Sequence, residues 1–404
     1  MKILIITQWF DPEPTLKGLV FAKELKRQGH DVEVLTGFPN YPTGKIYDGY
    51  KLRLKQRESV EGIDVLRVAL YPNHDSSAIK RIFNYISFAF MAMIFGVFST
   101  KKADVIYAYH PPLTVGIAAL LVGKIRRTPV VLDIQDMWPD TLKATGMMNN
   151  KKLLDVVYKV SQILYKYVDH IVVLSLGFKK LLMQRGVPAE KIDVIYNWCD
   201  EQALSNKSPI KAEYENLFKD KFNVVFAGNL GKAQGLDVIV DVAKKMQHHQ
   251  RLQFIFVGDG TERESVINQT KQYSLGNIVF IPRVSMQEVG SILREADVLI
   301  VHLKDDPLFE ITVPSKTQAY MAIGRPILMA VKGDAANIID QANAGIIAQP
   351  ENSESIIKGI ENLYNLSADE LSELGENGKK YYFQYMSLEE GCRNFIDVFS
   401  KKIK

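Results

Sequence analysis

Short apolar runs recur along the chain, and between them lie longer stretches in which apolar residues return every three to four positions. Runs of that length fit buried strands, and the longer stretches carry the helical period. In the first half, strands are expected at 3–6, 31–35, 64–68, 105–109, 130–133, 171–174 and 193–195. Helices are expected near 16–28, 79–98, 114–125, 153–167 and 176–184. The pattern then restarts, with strands at 223–227, 253–257, 278–281, 298–302, 327–329 and 345–347. Helices between them fall near 235–246, 261–273, 287–294, 315–322, 335–341 and 353–365. Strict alternation of this kind gives parallel sheets with helices on both faces. Residues 200–220 are polar, contain Pro209 and lack an apolar period, which marks a linker. The chain closes with an amphipathic stretch over 381–403.

The expected fold class is therefore α/β, with two doubly wound, Rossmann-like domains. Their expected bounds are 1–202 and 203–380, followed by a closing helix over 381–404. Ligands of such sheets bind outside the carboxyl ends of the strands. Neither internal repeats nor low-complexity segments occur in the sequence.

Composition changes this picture little. The 404 residues are 47% hydrophobic with a net charge of +4, so neither disorder nor nucleic-acid binding is indicated. The two cysteines, Cys199 and Cys392, exclude a disulfide framework and a cysteine-based zinc site. The start, Met1–Ile6, reads as a buried strand and not as a signal peptide. A cytoplasmic protein is expected.

Candidate chemistry gathers at strand ends. Gly228-Asn-Leu-Gly-Lys-Ala-Gln-Gly235 follows a strand and opens a helix. Gly228 and Gly231 let an anion approach backbone N–H groups, with Asn229, Lys232 and Gln234 as further donors. A tight turn without ligand has the same composition. The second corner, Phe309–Pro326, starts a helix at Pro314-Ser315-Lys316. Pro suits a first helical turn, and Ser315 and Lys316 place a hydroxyl and a positive charge at its amino end. Lys316 stands in an otherwise uncharged stretch from Ile311 to Ile323. Ile311, Thr312, Val313 and Gln318 surround this corner, and Glu310 is placed to accept from sugar hydroxyls or is a plain loop acid. Gly258, in Val257-Gly-Asp-Gly-Thr261, fits ligand contact or simple turn chemistry. Arg283, at another strand end, stacks on a base or faces solvent.

In the first half, Tyr107-Ala-Tyr-His-Pro-Pro112 puts His110 at a strand carboxyl end. It is a site histidine or a satisfied structural one. Asp133-Ile-Gln-Asp-Met-Trp-Pro-Asp140 clusters carboxylates with a tryptophan. Asp136 and Asp140 suit a sugar, and Trp138 suits stacking on one; a capped turn is the alternative. Their spacing is not that of a metal site. The long aromatic loop Gly37–Gly44 adds Phe38, Asn40 and Tyr41 as acceptor contacts.

The stretch 82–100 is uncharged and flanked by Lys80-Arg81 and Lys101-Lys102. It reads as a crossover helix in the core, as a helix with one face on a bilayer, or, against its polar interruptions, as a span. Nearby bases (Lys51, Arg53, Lys55 and Arg57; Lys124, Arg126 and Arg127) favour an anionic membrane surface.

Taken together, TQWFDPEP, EVLTGFPNYPTGKIYDGY, YAYHPPLTVG, LDIQDMWPDTLKATGM, VIYNWCDE, GNLGKAQGL and VPSKTQAYMAIGRPILMAVKGDAA carry a resemblance that spans most of the chain. The chain resembles retaining glycosyltransferases of family four with the GT-B fold, and among them bacterial O-antigen L-fucosamine transferases of the WbuB type. The resemblance implies a sugar nucleotide in the second domain, an acceptor in the first, and a last helix that crosses back onto the first. It implies retention without a metal or cofactor, with a UDP-sugar donor such as UDP-N-acetyl-L-fucosamine. The implied acceptor is a polyprenyl-diphosphate-linked saccharide, met at the membrane surface from the cytoplasmic side.

Two departures stand out. Family members carry an arginine and a lysine in the glycine loop, where this chain has Asn229 and Gln234. The family's paired glutamates fall on Ile311, beside Glu310, and on Ala319, with Gln318 as a substitute. The diphosphate charge then rests on Lys316, with Lys232 a weaker candidate. The family histidine matches His110, near the donor's reactive carbon, and Asp136 is expected to orient the acceptor hydroxyl. Two other readings stay open: a UDP-sugar 2-epimerase of GT-B fold, and a non-catalytic sugar-nucleotide-binding module. A dinucleotide oxidoreductase is disfavoured, because no glycine fingerprint follows the first strand.

Overall fold

The computed structural model describes residues 1–73, 78–144, 148–205 and 209–403. Met1–Tyr196 with Gly391–Lys404 form one compact unit, and Asn197–Glu390 form the other.

The first unit is built on a sheet of β1 (Lys2–Ile6), β2 (Asp31–Gly37), β3 (Lys55–Val60), β4 (Ile63–Val68), β5 (Val105–His110), β6 (Val130–Ile134), β7 (His170–Val173) and β8 (Ile192–Val194). Their order across the sheet is β3-β4-β2-β1-β5-β6-β7-β8. Ile3 of β1 pairs with Val32 on one side and Val105 on the other, both in parallel. The chain leaves β1 in one direction and returns to its other side at β5, so the switch point lies between β1 and β5.

Strand β3 escaped the sequence reading. It runs antiparallel to β4 at the sheet edge. Its alternating polar residues, Lys55 and Arg57 among them, are those of an edge strand facing solvent on one side. Arg57 pairs with Glu33 at 2.8 Å, and Lys55 Nζ donates to Ser99 Oγ at 3.1 Å. Arg126 is also engaged: its Nη1 donates to Gly96 O at 2.8 Å, closing the end of the helix Ala78–Phe98. These bases therefore serve the fold.

The helix Ala78–Phe98 buries Asn84, Phe88, Ala92 and Gly96 along one i, i+4 stripe. Gly96 allows close approach, since a Cβ there would sit 2.8 Å from a Val122 methyl. The opposite face exposes Ile82, Phe83, Ile86, Phe90 and Phe98. The helix is long and apolar enough to cross a membrane, but it lies against the first-unit sheet and the helix Leu113–Arg126.

The second unit carries β9 (Phe222–Ala227), β10 (Leu252–Val257), β11 (Ile278–Ile281), β12 (Val298–His302), β13 (Ile327–Ala330) and β14 (Gly345–Ile347). The order is β11-β10-β9-β12-β13-β14, with every pair parallel. Its core is Phe226, Ile239, Phe254, Phe256, Ile300 and Leu328. The expected linker at 200–220 contains two short helices, Glu201–Ser205 and Ala212–Glu215. They were invisible because helices of five and four residues are too short to show a period.

The single closing helix expected from 381 is two helices, Ala368–Tyr385 and Leu388–Lys402. Ser367 and Glu370 form a capping box at the first. Ser387 starts the second by accepting the Glu390 N–H at 3.3 Å. The second packs on the first unit: Phe395 meets Phe21 at 5.3 Å and Tyr107 at 5.4 Å between centroids. Phe395 is fully buried. Phe395→Ala should cost about 3–5 kcal/mol of stability. Urea unfolding of the full chain measures it, and a loss under ~1 kcal/mol would mean that this helix contributes little to the first unit.

Candidate functional site

In the second sheet the chain runs from β9 out through β10 and β11, then returns to place β12 on the other side of β9. The switch point is thus between β9 and β12, and the two sequence-predicted corners both belong to it. The loop Gly228–Gly231 follows β9, and the helix Ser315–Ile323 follows β12.

Lys316 joins the two corners. Its Nζ donates to Gln234 Oε1 at 2.6 Å and lies 3.6 Å from the Phe226 ring centroid. A Cβ built on Gly228 would stand 3.8 Å from the same Nζ, and Gly228 has φ 137. Glycine is therefore required by backbone conformation and keeps the space beside the amine clear. Crowding by apolar atoms pushes the Lys316 amine down to about 7. The neutral Gln234 amide offers it no countercharge.

Gln234 is in turn held by a residue that sequence reasoning missed. His302 closes β12, is fully buried, and has Nδ1 at 2.6 Å from Gln234 O. The Glu351 N–H donates to His302 Nε2 at 3.0 Å. That contact fixes the proton on Nδ1, and burial lowers the imidazole pKa, so the ring is neutral. The signal was position alone: a histidine at a strand end on the switch point.

The helix Ser315–Ile323 starts at Pro314 without a side-chain cap. Its first N–H groups are left for solvent or an anion. Ser315 is exposed there, and Ile311 is half-buried. Val313 is buried and supports the turn. The Thr312 hydroxyl donates back to Leu308 O at 2.7 Å. Gln318 is 2% exposed, and in the amide orientation that satisfies its surroundings it donates to Pro314 O at 2.9 Å and Ser315 O at 3.1 Å. It braces the helix start instead of replacing the family glutamate at an open surface.

Asn229 and Lys232 are exposed on the glycine loop. Gly258 packs against that loop: a Cβ on it would fall 2.1 Å from Gly228 O. The Gly228 N–H donates to Val257 O and the Leu230 N–H to Asp259 O, both at 2.9 Å. Gly258 thus has a structural reason of its own. Glu310 is exposed, and a Cβ on Gly333 would lie 1.9 Å from its carbonyl oxygen. Arg283 is exposed after β11, at the sheet edge and not at the switch point.

In the first unit, His110 ends β5 beside the β1–β5 switch point. It is fully buried, and neither ring nitrogen has a hydrogen-bond partner among the described residues. Burial pushes it down to about 4, so it is neutral. The Trp138 ring meets it edge-on at 5.6 Å. Asp136 is half-buried and its carboxyl is raised by burial. Asp140 is committed elsewhere, paired with Arg185 at 2.6 Å.

Of the loop residues, Phe38 is fully buried and Asn40 is 2% exposed. Asn40 Nδ2 donates to Phe38 O at 2.9 Å, and its Oδ1 accepts from Asn84 at 3.2 Å. Both residues face inward and shape the loop. Tyr41 stays half-buried against Trp9, with centroids 4.9 Å apart.

The loop after β1 supplies what the sequence reading missed here. Glu13 accepts the N–H groups of Asn40 (2.8 Å), Tyr41 (2.7 Å) and Phe10 (3.3 Å). Burial outweighs those bonds and pushes its carboxyl up to about 7. Lys17 and Asp133 are fully buried and paired at 2.6 Å. The Tyr107 hydroxyl donates to the same carboxylate at 2.6 Å and Gln135 to its other oxygen at 2.7 Å. Asp133 is therefore an anchor for the strand end and not a ligand group. Charged residues just after a buried first strand were the available signal.

Two doubly wound units, each with its chemistry at a switch point, define the GT-B class of glycosyltransferases. Comparison with known proteins agrees. Residues 19–198 match the profile of a glycosyl transferase 4-like domain, and residues 208–381 that of glycosyl transferases group 1. The putative colanic acid biosynthesis glycosyl transferase WcaI of Escherichia coli K12 is 26% identical, covering 89% of this chain and 91% of that protein. The probable glycosyltransferase WbjE of Pseudomonas aeruginosa is 24% identical, covering 74% and 77%. HepE of Anabaena, crystallised with UDP and glucose, superposes with a TM-score of 0.71 at 16% identity, over 99% of this chain and all of that one. The chain is a glycosyltransferase of the family-four, group 1 kind.

The Lys316 environment makes a stability prediction. The unfolded chain keeps this proton up to about 10.5, whereas the folded protein releases it near 7. Between those values the unfolded state binds more protons, so this group makes stability rise with pH. Lys316→Met should flatten that rise when urea midpoints are compared at pH 7, 8 and 9. An unchanged slope would mean the amine is solvated.

Proposed function

We propose that the protein moves an N-acetylated amino sugar, such as N-acetyl-L-fucosamine, from a UDP-sugar to a polyprenyl-diphosphate-linked saccharide in O-antigen or capsule synthesis. The reading includes retention of configuration, no metal ion or cofactor, and a peripheral position on the cytoplasmic face of the membrane. One observation carries the donor side: Lys316 Nζ beside Gly228, at an uncapped helix start on the β9–β12 switch point. The polysaccharide setting is supported by the names of the relatives, and UDP by the ligand bound to HepE.

When the bond from the anomeric carbon to the diphosphate breaks, negative charge grows on the leaving oxygen. Fixed donors in a low-dielectric site stabilise that charge most. The Lys316 ammonium, the N–H groups at Ser315 and Lys316, and the glycine loop form such a set. Its transition-state charge also draws the proton back onto an amine that loses it near 7. In the first unit, Asp136 orients the acceptor hydroxyl and His110, neutral and unpaired, hydrogen-bonds a sugar. The acceptor oxygen then bonds to the anomeric carbon on the face from which the diphosphate departs, and its proton passes to the leaving diphosphate oxygen.

A thermal-shift screen of UDP, GDP, ADP, CMP and dTDP tests the base, and UDP is expected to give the largest shift. Lys316→Ala should abolish that shift and lower turnover by about 10²–10³-fold, the loss of one such donor. Wild-type behaviour of that variant would remove the donor assignment. The position of the amine, and not its place in the sequence, should matter. The double variant Gln234→Lys with Lys316→Gln is thus expected to recover most of the UDP shift that Lys316→Gln loses. No recovery would show that the helix start and its lysine act as one.

A further inference from the structure

We infer that the first unit holds one isoprenoid chain of the acceptor in an apolar groove between the helices Ala78–Phe98, Leu113–Arg126 and Lys151–Tyr167. The inference rests on the proposed lipid-linked acceptor and names where its lipid lies.

The groove measures about 320 Å³. Ile86, Ile117, Met148, Val156 and Val160 are among its walls, and Trp138 belongs to them too. A second hollow shares Ile86, Thr114 and Ile117 and continues past Phe90 to Leu121. The two make one apolar track along the helices. Ile86 is 52% exposed and Val156 56% exposed, so the track is open to solvent along its rim. Exposed apolar surface that is continuous marks a binding face.

Two features commit the track to an anionic lipid chain. The first is continuity: Trp138, which meets His110 edge-on, lines the groove, so one end of the track reaches the candidate acceptor residues. The second is charge. The three helices contain one acid, Asp155, against the bases Lys80, Arg81, Lys124, Arg126, Lys151, Lys152, Lys159 and Lys166. Arg81 is itself in the groove wall. An apolar track on three mostly basic helices, with Arg81 in its wall, matches an amphiphile that has a diphosphate head and a hydrocarbon tail. A flat bilayer asks only for an exposed apolar face, whereas a concave track is shaped for a single chain.

Calorimetric titration of the full chain with soluble prenyl diphosphates of increasing length, geranyl, farnesyl and geranylgeranyl, tests this. Affinity should rise by about tenfold or more from the shortest to the longest, because added methylenes leave water. Ile86→Glu and Val156→Glu change exposed positions, so the fold should persist, as an unchanged thermal midpoint would confirm. Each should erase the chain-length trend. Affinity independent of length in the wild type, or a trend kept by both variants, overturns the proposal. Vesicles of phosphatidylglycerol and phosphatidylcholine without prenyl lipid separate the remaining case. If the variants lose only vesicle binding and soluble chains show no trend, the face is a membrane footing and the groove assignment fails. A trend without any UDP response keeps the groove and rejects the donor reading; a UDP response without a trend does the reverse.

Discussion

The second unit is organised around an amine that has an amide and an aromatic face for neighbours instead of a carboxylate. Lys316 reaches from a helix start to the glycine loop and ends between Gln234 and Phe226. A buried cation normally finds an anion, because desolvation costs several kcal/mol and pairing recovers much of it. Here the neighbours cradle the amine without neutralising it. Everything around it serves that arrangement. His302 fixes the Gln234 backbone, Gln318 braces the first helical turn, and Gly258 lets the adjacent loop close on Gly228. Such a site gains most when a diphosphate supplies the missing charge.

The first unit shows the opposite solution. Lys17 is fully buried, more so than Lys316, yet Asp133 meets it at 2.6 Å, with Tyr107 on the same oxygen. That pair is satisfied and holds the β6 end against the loop after β1. Among the unsatisfied buried groups of this unit is the neutral His110, whose ring nitrogens have no partner among the described residues. A buried unpaired polar group costs about 1–3 kcal/mol, so it marks the place where a ligand hydroxyl fits. The contrast separates structural charge from chemical charge more reliably than residue type does. Asp133 and Asp136 lie in one motif, but only Asp133 is locked into an ion pair.

The same contrast explains what could be read from the sequence. The central parallel strands, such as β1 and β10, announced themselves because both faces are buried and the run is mostly apolar. Lys316 announced itself as the lone charge in an otherwise uncharged stretch. Strand β3 and the helices Glu201–Ser205 and Ala212–Glu215 did not, because edge strands and short helices bury too little to leave a period. The Ser367–Glu370 capping box was present in the sequence and marks a helix that periodicity alone passed over. Glu13 and His302 act through backbone groups of distant segments, and local pattern contains no trace of such partners. Phe38 and Asn40 illustrate the reverse error. A long aromatic loop suggests recognition, yet half of its residues are spent on holding its own shape.

The helix Ala78–Phe98 presents this problem in its sharpest form. Its composition fits a core helix, a bilayer-facing helix and a span. Packing narrows the choice. The buried stripe from Asn84 to Gly96 fixes which face turns inward, and Asn84 uses its amide to join Gln8, Asn40 and Tyr71. A helix with that polar anchor is tied to the fold along one side. Its other side keeps Ile82, Phe83, Ile86 and Phe90 in water, at a cost that a purely structural helix has no reason to bear. The loop that meets Asn84 is the one that Glu13 holds, and the groove beside Ile86 ends at Trp138. The apolar track and the candidate acceptor residues are thus fastened to the same scaffold, so a chain seated in one would fix the position of a head group at the other.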